Sequence, residues 1–194
     1  MLRAMPTSTP PEATTRVLVV HPPMSVARDF IDYPYVSNLG AAQVAASLAT
    51  TFDVQYVDAS ALPTSTFAWI GAGGPSSGGR AHAGASTGEV LAQCRPADVA
   101  VVALTPFHRP GVVDPLLRDL IDRLPAERVI LVDAYQSGQH HVDADTVLTD
   151  YPQAHAWLRY EAERDLPALI TGGEAGVHFG GRPDIDALPF PAWD

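Results

Sequence analysis

The sequence contains no lysine and almost no cysteine, and both scarcities narrow the range of functions. All 12 basic residues are arginine, and with 22 acidic residues the formal net charge is −10. Nucleic acids and anionic membrane surfaces both attract basic patches, so we expect neither as a partner. A P-loop needs a Gly-Lys-Ser/Thr sequence to bind phosphate, and a chain without lysine cannot supply it.

Cys94 is the only cysteine, which excludes an internal disulfide and any zinc site or iron–sulfur cluster built from several cysteines of this chain. We expect it to be structural. No apolar run approaches the ~20 residues that span a bilayer. Residues 1–15 contain Pro, Thr, Ser and Glu where a secretory signal would be apolar, so we expect a loose leader on a cytoplasmic protein.

Short apolar runs alternate with helical patterns between residues 16 and 170. The predicted strands are residues 17–20, 53–57, 98–104, 128–132 and 156–160. The predicted helices are residues 39–48, 113–124, 143–149 and 161–170. This alternation predicts a doubly wound, flavodoxin-like (Rossmann-like) α/β domain, with a five-stranded parallel sheet in the order 2-1-3-4-5 and helices on both faces.

Two long segments fall outside this alternation. Residues 62–87 are rich in Gly, Ser, Ala and Pro and are long for a connection, so we expect them to be mobile or functional. Residues 171–194 have no periodic pattern and end in an apolar, proline-rich stretch. We expect this end to be a linker or tail toward a partner domain or subunit.

Two further motifs could be ligand sites, but each is better interpreted as a loop. Residues 71–79 are glycine-rich, but a dinucleotide-binding loop should follow the first strand, so a flexible loop is the favoured interpretation. His140 and His141, with Asp143 and Asp145, suggest a metal site. Because adjacent residues in an extended segment point to opposite sides, a solvated loop followed by a helix start is favoured instead.

The remaining motifs all fall at one edge of the predicted sheet. In this strand order, ligands bind outside the carboxyl ends of the strands, at the switch between strands 1 and 3. The loops at that edge carry His21-Pro22-Pro23, Tyr33-Pro34, Leu39-Gly40, Thr105-Pro106, Asp133-Ala134-Tyr135-Gln136-Ser137-Gly138 and Arg159-Tyr160-Glu161-Ala162-Glu163.

The order of these motifs resembles the N-terminal cobalamin-binding domain of the cobalamin-dependent radical SAM enzymes. Such domains typically carry Asn-Pro-Pro after strand 1, Tyr-Pro and Leu-Gly before helix 1, and Arg-Gly-Glu-Gly-Glu after strand 5. An acidic-Leu-Pro-Phe-Pro stretch then precedes the radical domain, and this chain has Asp186-Ala187-Leu188-Pro189-Phe190-Pro191. The resemblance runs from Arg16 to the last residue. This chain departs from it at Asp133-Ala134, Tyr160 and Ala162, where the family has glycine.

The resemblance implies a cobalamin site whose nucleotide tail enters between strands 1 and 3. It implies that Thr105 hydrogen-bonds the tail and that Pro22, Pro23 and Met24 lie under the corrin. The chain lacks the Asp-x-His-x-x-Gly sequence that supplies a lower ligand, so we expect no protein histidine on cobalt. The implied cofactor-binding residues are His21, Pro22, Pro23, Met24, Tyr33, Leu39, Gly40, Thr105, Pro106, Asp133, Ala134, Tyr135, Gln136, Ser137, Gly138, Arg159, Tyr160 and Glu161.

These inferences favour a cobalamin-binding module or subunit without a complete catalytic centre of its own. A radical SAM partner would supply S-adenosylmethionine and the iron–sulfur cluster, in methyl transfer or rearrangement during specialised metabolism. One alternative is a cobalamin-free relative that serves as an interaction or regulatory subunit. Another is a flavodoxin-like domain for a different nucleotide ligand, such as a flavin.

Overall fold

The structure is a computed structural model that describes residues 14–27, 38–70, 80–104, 113–134 and 144–192. The strands of the described residues are β1 (Arg16–His21), β2 (Met24–Ala27), β3 (Asp53–Asp58), β4 (Thr66–Ile70), β5 (Arg80–Gly84), β6 (Ala97–Ala103), β7 (Ala126–Val132), β8 (Ala156–Arg159) and β9 (Gly176–Phe179). The helices are α1 (Leu39–Leu48), α2 (Thr87–Gln93), α3 (Pro115–Arg123), α4 (Ala144–Asp150) and α5 (Leu166–Gly172), followed by a 3-10 turn (Ile185–Ala187).

A parallel sheet of six strands, in the order β3-β1-β6-β7-β8-β9, forms the centre of the fold. Every neighbouring pair in it is parallel. The α/β class and the order of the five predicted strands are confirmed, and their boundaries agree within two residues. The predicted number of strands is wrong, because β9 adds a sixth strand beside β8. This strand comes from the segment that we expected to be a linker.

Alternating side chains of the strands build two hydrophobic layers, one on each face of the sheet. Leu18 and Val20 of β1 face a layer that includes residues of α2, α3 and α4. Val17 and Val19 face the other layer, which includes residues of α1 and α5. Helices therefore cover both faces, which explains why residues 17–20 of β1 and 99–103 of β6 are all apolar.

The segment 62–87 is more ordered than the sequence predicts. Its strands β4 and β5 pair antiparallel, and β2 adds to β5 to complete a second, three-stranded sheet. The segment leads into α2, whose first turn is closed by a capping box between Ser86 and Glu89. The described residues of this segment therefore form regular structure that the sequence analysis did not predict, whereas residues 71–79 lie outside them. A functional role for the segment stays a prediction.

The last helix begins later than predicted. Its predicted start is residue 161, but α5 begins at Leu166. Pro167 explains the shift, because proline fits the first turn of a helix and disrupts the interior. The five residues from Glu161 to Asp165 form a loop at the carboxyl end of β8 instead. Among the described helices, none is long and apolar enough to cross a membrane.

Two serines on different helices offer a test of the helix assignments. Ser86 accepts a hydrogen bond from the Glu89 backbone N–H, so Ser86→Ala should lower the free energy of unfolding by about 0.5–2 kcal/mol. The Ser47 hydroxyl of α1 is buried without a hydrogen-bond partner among the described residues. Ser47→Ala should therefore be neutral or stabilising by up to ~1 kcal/mol. Urea denaturation measures both, and equal losses would contradict the α2 assignment.

Candidate functional site

A cleft of about 780 Å³ lies at the carboxyl edge of the parallel sheet. The start of α1 and the residues after β7 form one side, and the loop between β8 and α5 forms another. The chain after β9 closes the third side. The lining residues are Leu39, Gly40, Gln43, Ala134, Glu161, Glu163, Arg182, Pro183, Ile185, Leu188 and Pro191.

The start of α1 is pressed against the loop after β7. A Cβ atom on Gly40 would lie 2.1 Å from the carbonyl oxygen of Ala134, so only glycine permits this approach. Asn38 fixes the start of the helix, because its side-chain oxygen accepts a hydrogen bond of 2.7 Å from the Ala41 backbone N–H. The contact between Gly40 and Ala134 thus fixes one side of the cleft.

The chain after β9 is held across the cleft by backbone contacts at both ends. At one end, the Gly180 N–H donates to the Arg159 carbonyl at 2.8 Å. At the other end, the Ala192 N–H donates to the Ala42 carbonyl at 3.1 Å. The Gln43 side chain of α1 also donates to the Pro189 carbonyl at 2.9 Å. This segment is therefore a wall of the cleft.

The cleft is lined by charges of both signs. Glu161 and Glu163 lie on the loop after β8, and Arg182 lies on the C-terminal segment. This segment starts beside that loop, since the Gly181 N–H donates to Oδ2 of Asp165 at 2.6 Å. Burial is the main cause that raises the pKa of Glu163, and the negative charge of Glu161 raises it further. Backbone N–H groups of residues 162 and 163 act in the opposite direction. Oε2 of Glu163 is enclosed and has no hydrogen-bond partner among the described residues.

Tyr160 keeps a backbone conformation that favours glycine. Its φ is 64°, and it is the only non-glycine residue with a positive φ in the described ranges. Buried Arg159 supports it, since the guanidinium carbon lies 5.3 Å from the centre of the Tyr160 ring and 5.0 Å from that of Trp157. Tyr160 is not among the described residues that line the cleft.

The loop after β1 is buried rather than open. His21 Nδ1 lies 2.7 Å from Oδ1 of Asp58, a distance at which the ring N–H donates to the carboxylate. Asp58 also accepts from the Tyr56 hydroxyl at 3.1 Å and the Ser60 N–H at 2.8 Å. Sequence reasoning missed Asp58. It is the last residue of β3, which pairs with β1, and it lies in register with His21, the last residue of β1.

Met24 opens β2 and is 1% exposed, in a small hydrophobic cluster with Val26 and Ala81. Pro22 and Pro23 before it are buried as well. None of these three residues lines the cleft among the residues that the structure describes. A position beneath a corrin is therefore still a prediction for them, and the described structure gives them packing roles.

The structure brings together four of the predicted cofactor-binding residues, Leu39, Gly40, Ala134 and Glu161. Asp133 and Arg159 are buried near the same strand ends. The predicted residues that lie outside the described ones are Tyr33, Thr105, Pro106, Tyr135, Gln136, Ser137 and Gly138, and so are His140, His141 and Asp143. The predicted slot between strands 1 and 3 involves Thr105 and so falls outside the described residues too.

The wall after β9 was missed by sequence reasoning. Arg182, Pro183 and Ile185 follow a four-residue strand and have no periodic pattern that would have shown where they pack. Gln43 carried one weak indication, since it and Ser47 are the only polar residues of α1. In the described part of the chain, no group of three or more His, Cys, Asp or Glu side chains is placed to hold a metal ion.

Gly40→Ala tests whether the close approach of α1 is essential. The added Cβ would collide with the Ala134 backbone, so we expect a loss of about 1–3 kcal/mol in the free energy of unfolding. Gly88 is the matched control, because it is exposed on α2 and a Cβ there meets no atom within 4 Å. Gly88→Ala should be neutral or slightly stabilising. Equal stability of the two variants in urea denaturation would contradict the contact.

Glu163→Gln tests the electrostatics of the loop side. A raised pKa in the folded state means that stability is lost as the pH rises above the ordinary carboxyl value of 4.5. The variant removes that loss, so it should be more stable than the wild type at pH 7, and the difference should vanish below pH 4.5. Urea denaturation across this pH range measures it, with exposed Glu127→Gln as control. A destabilised variant at pH 7 would contradict the assignment.

No protein-family model matches the chain, and comparison with the curated proteins and with the solved structures gave no match either.

Proposed function

We propose that this chain is a cobalamin-binding module or subunit that acts with a radical SAM partner in methyl transfer or rearrangement. One observation supports the proposal above others. Leu39, Gly40, Ala134 and Glu161, which the resemblance assigns to cofactor binding, line a single cleft. That cleft opens at the carboxyl edge of a parallel α/β sheet, where ligands of such folds bind.

The size and lining of the cleft suit one end of the cofactor. Pockets of about 300–1,000 Å³ accept ligands of the size of a nucleotide, and the cleft has about 780 Å³. Cobalamin is much larger than that, so its nucleotide tail would enter the cleft while the corrin stays outside. Apolar Leu39 and Leu188 would contact the flat base of the tail.

The departures from the family pattern are compatible with this fit. Tyr160 stands where the family has glycine, yet its φ of 64° lies in the region that glycine favours. Ala134 also replaces a glycine, and its backbone carbonyl, rather than its side chain, makes the close contact with Gly40. The backbone at Tyr160 thus keeps a conformation that glycine favours, although the side chain has changed.

The proposed function divides the chemistry between the chain and its partner. Cobalamin would carry the methyl group or supply the organometallic step when bound. This chain would bind and orient the nucleotide tail. With a single cysteine it cannot hold the iron–sulfur cluster that cleaves S-adenosylmethionine, so the partner would supply that cluster.

A second candidate function is an interaction or regulatory subunit without cobalamin. Exposed apolar side chains of the C-terminal segment favour it, since Phe190 is 94% and Ile185 80% exposed. In that case, the cleft would be a remnant of a binding site and the segment a contact surface.

Retention of hydroxocobalamin distinguishes the two functions. After incubation and desalting, the wild-type protein should keep a visible spectrum with about one cofactor per chain. Ala134→Phe should lose it, because the ring would occupy the cleft. Ala168→Phe is the matched control, since Ala168 is exposed on α5 and does not line the cleft. A colourless wild-type protein would overturn the cobalamin assignment and favour the interaction subunit.

A further inference from the structure

Strand β4 is an edge strand of the second sheet, and its outer edge pairs with no strand in the described part of the chain. Its sequence, Thr66-Phe67-Ala68-Trp69-Ile70, contains no charged residue and no proline. Residues 66–69 are all exposed, so both faces of the strand reach solvent. An edge of this kind presents backbone N–H and C=O groups to which a further strand can pair.

The other edge strands of the two described sheets carry features that discourage pairing. β3 begins with exposed Asp53, and charge on an edge opposes the approach of another strand. β9 has only four residues and begins with Gly176 at a φ of 128°. β2 also has four residues, and its Met24 and Val26 are each 1% exposed. Among these edges, β4 alone is uncharged, exposed and five residues long.

One face of the second sheet is apolar across its three strands, but its cover stops before β4. In the register of this sheet, Trp69 lies beside Ala81, and Ala81 lies beside Val26. Val26 and Ala81 are each 1% exposed, whereas Trp69 is 38% exposed. Phe67, on the same face as Trp69, is 41% exposed, and the two ring centroids lie 5.9 Å apart, edge to face. Two aromatic rings therefore carry a buried apolar face out to a partly exposed edge.

The sequence of β4 is complementary to itself in the antiparallel direction. A register centred on Ala68 places Phe67 opposite Trp69 of a second copy, and Trp69 opposite Phe67 of that copy. Residues directly opposite in an antiparallel pair share a face, so four aromatic rings would meet, and such cross-strand pairs are stabilising. Two copies with a net charge of −10 each repel one another, but this register brings no like charges opposite within the strands.

We propose that two copies of this chain form a dimer through antiparallel pairing of their β4 strands, in the register centred on Ala68. The contact has twofold symmetry, because each strand meets the other with the same residues. It joins two three-stranded sheets into one antiparallel sheet, in the order β2-β5-β4-β4-β5-β2. This inference does not depend on the cobalamin function, since β4 contributes no residue to the described lining of the cleft.

Charges at Ala68 test both the contact and its register, because only this register places Ala68 opposite its own copy. Sedimentation equilibrium of the wild-type chain should give a mass near twice the 20.6 kDa of one chain. Ala68→Lys and Ala68→Glu each place like charges opposite one another, so each should raise the dimer Kd about fivefold or more. An equimolar mixture of the two variants places opposite charges there and should restore the wild-type Kd.

The mixture controls for the surroundings of residue 68 within one chain, since His82 is its neighbour on β5 in both variants. Ala168→Lys is the matched control for added charge, because Ala168 is exposed on α5 and should leave the dimer Kd unchanged. Thermal unfolding checks that all three variants fold.

Three results would overturn the proposal. The first is a wild-type chain that stays monomeric at the highest concentration measured. The second is a dimer whose Kd neither Ala68 variant changes, since another surface then holds it together. The third is weakening by both variants without recovery in the mixture, which excludes the register centred on Ala68. No cofactor enters the experiment, so its failure leaves the cobalamin function untouched.

Discussion

The close packing of Gly40 against the carbonyl of Ala134 is the contact on which the candidate site depends. It places the first turn of α1 against the chain that leaves β7, with no room for a side chain between them. The position of α1 then determines where the C-terminal segment can lie, because the Ala42 carbonyl accepts from the Ala192 N–H and the Gln43 side-chain amide donates to the Pro189 carbonyl. A shift of the helix would move two of the three sides of the cleft.

The central sheet was predictable because burial leaves a strong pattern. Strands such as β1 and β6 are apolar on both faces, which indicates a parallel sheet covered by helices. The second sheet was not predicted. The sequence in and around β5 consists largely of Ala, Gly and Ser, a composition that is typical of linkers. The start of α2 had a usable indication, the Ser86-x-x-Glu89 capping box, that the sequence analysis did not use. The sixth strand is only four residues long and lies among glycines, so neither its length nor its composition marked it.

The site was predictable only where its residues belong to motifs. Leu39, Gly40, Ala134 and Glu161 were identified through the order of short sequences along the chain, and topology brings them to one edge. Arg182 could not be identified in the same way, because its place depends on a chain segment that crosses the cleft without regular structure. His21 was identified as a ligand-edge residue, but its partner Asp58 depends on the register of two parallel strands, which local patterns do not specify.

We propose that the nucleotide tail of cobalamin occupies the cleft, away from cobalt. Electron paramagnetic resonance of the protein loaded with cob(II)alamin tests this claim most directly. If the tail lies in the cleft and no histidine of the chain replaces it, the cobalt signal lacks splitting from a nitrogen ligand on the lower face. A spectrum that retains the nitrogen splitting of the free cofactor would contradict the account.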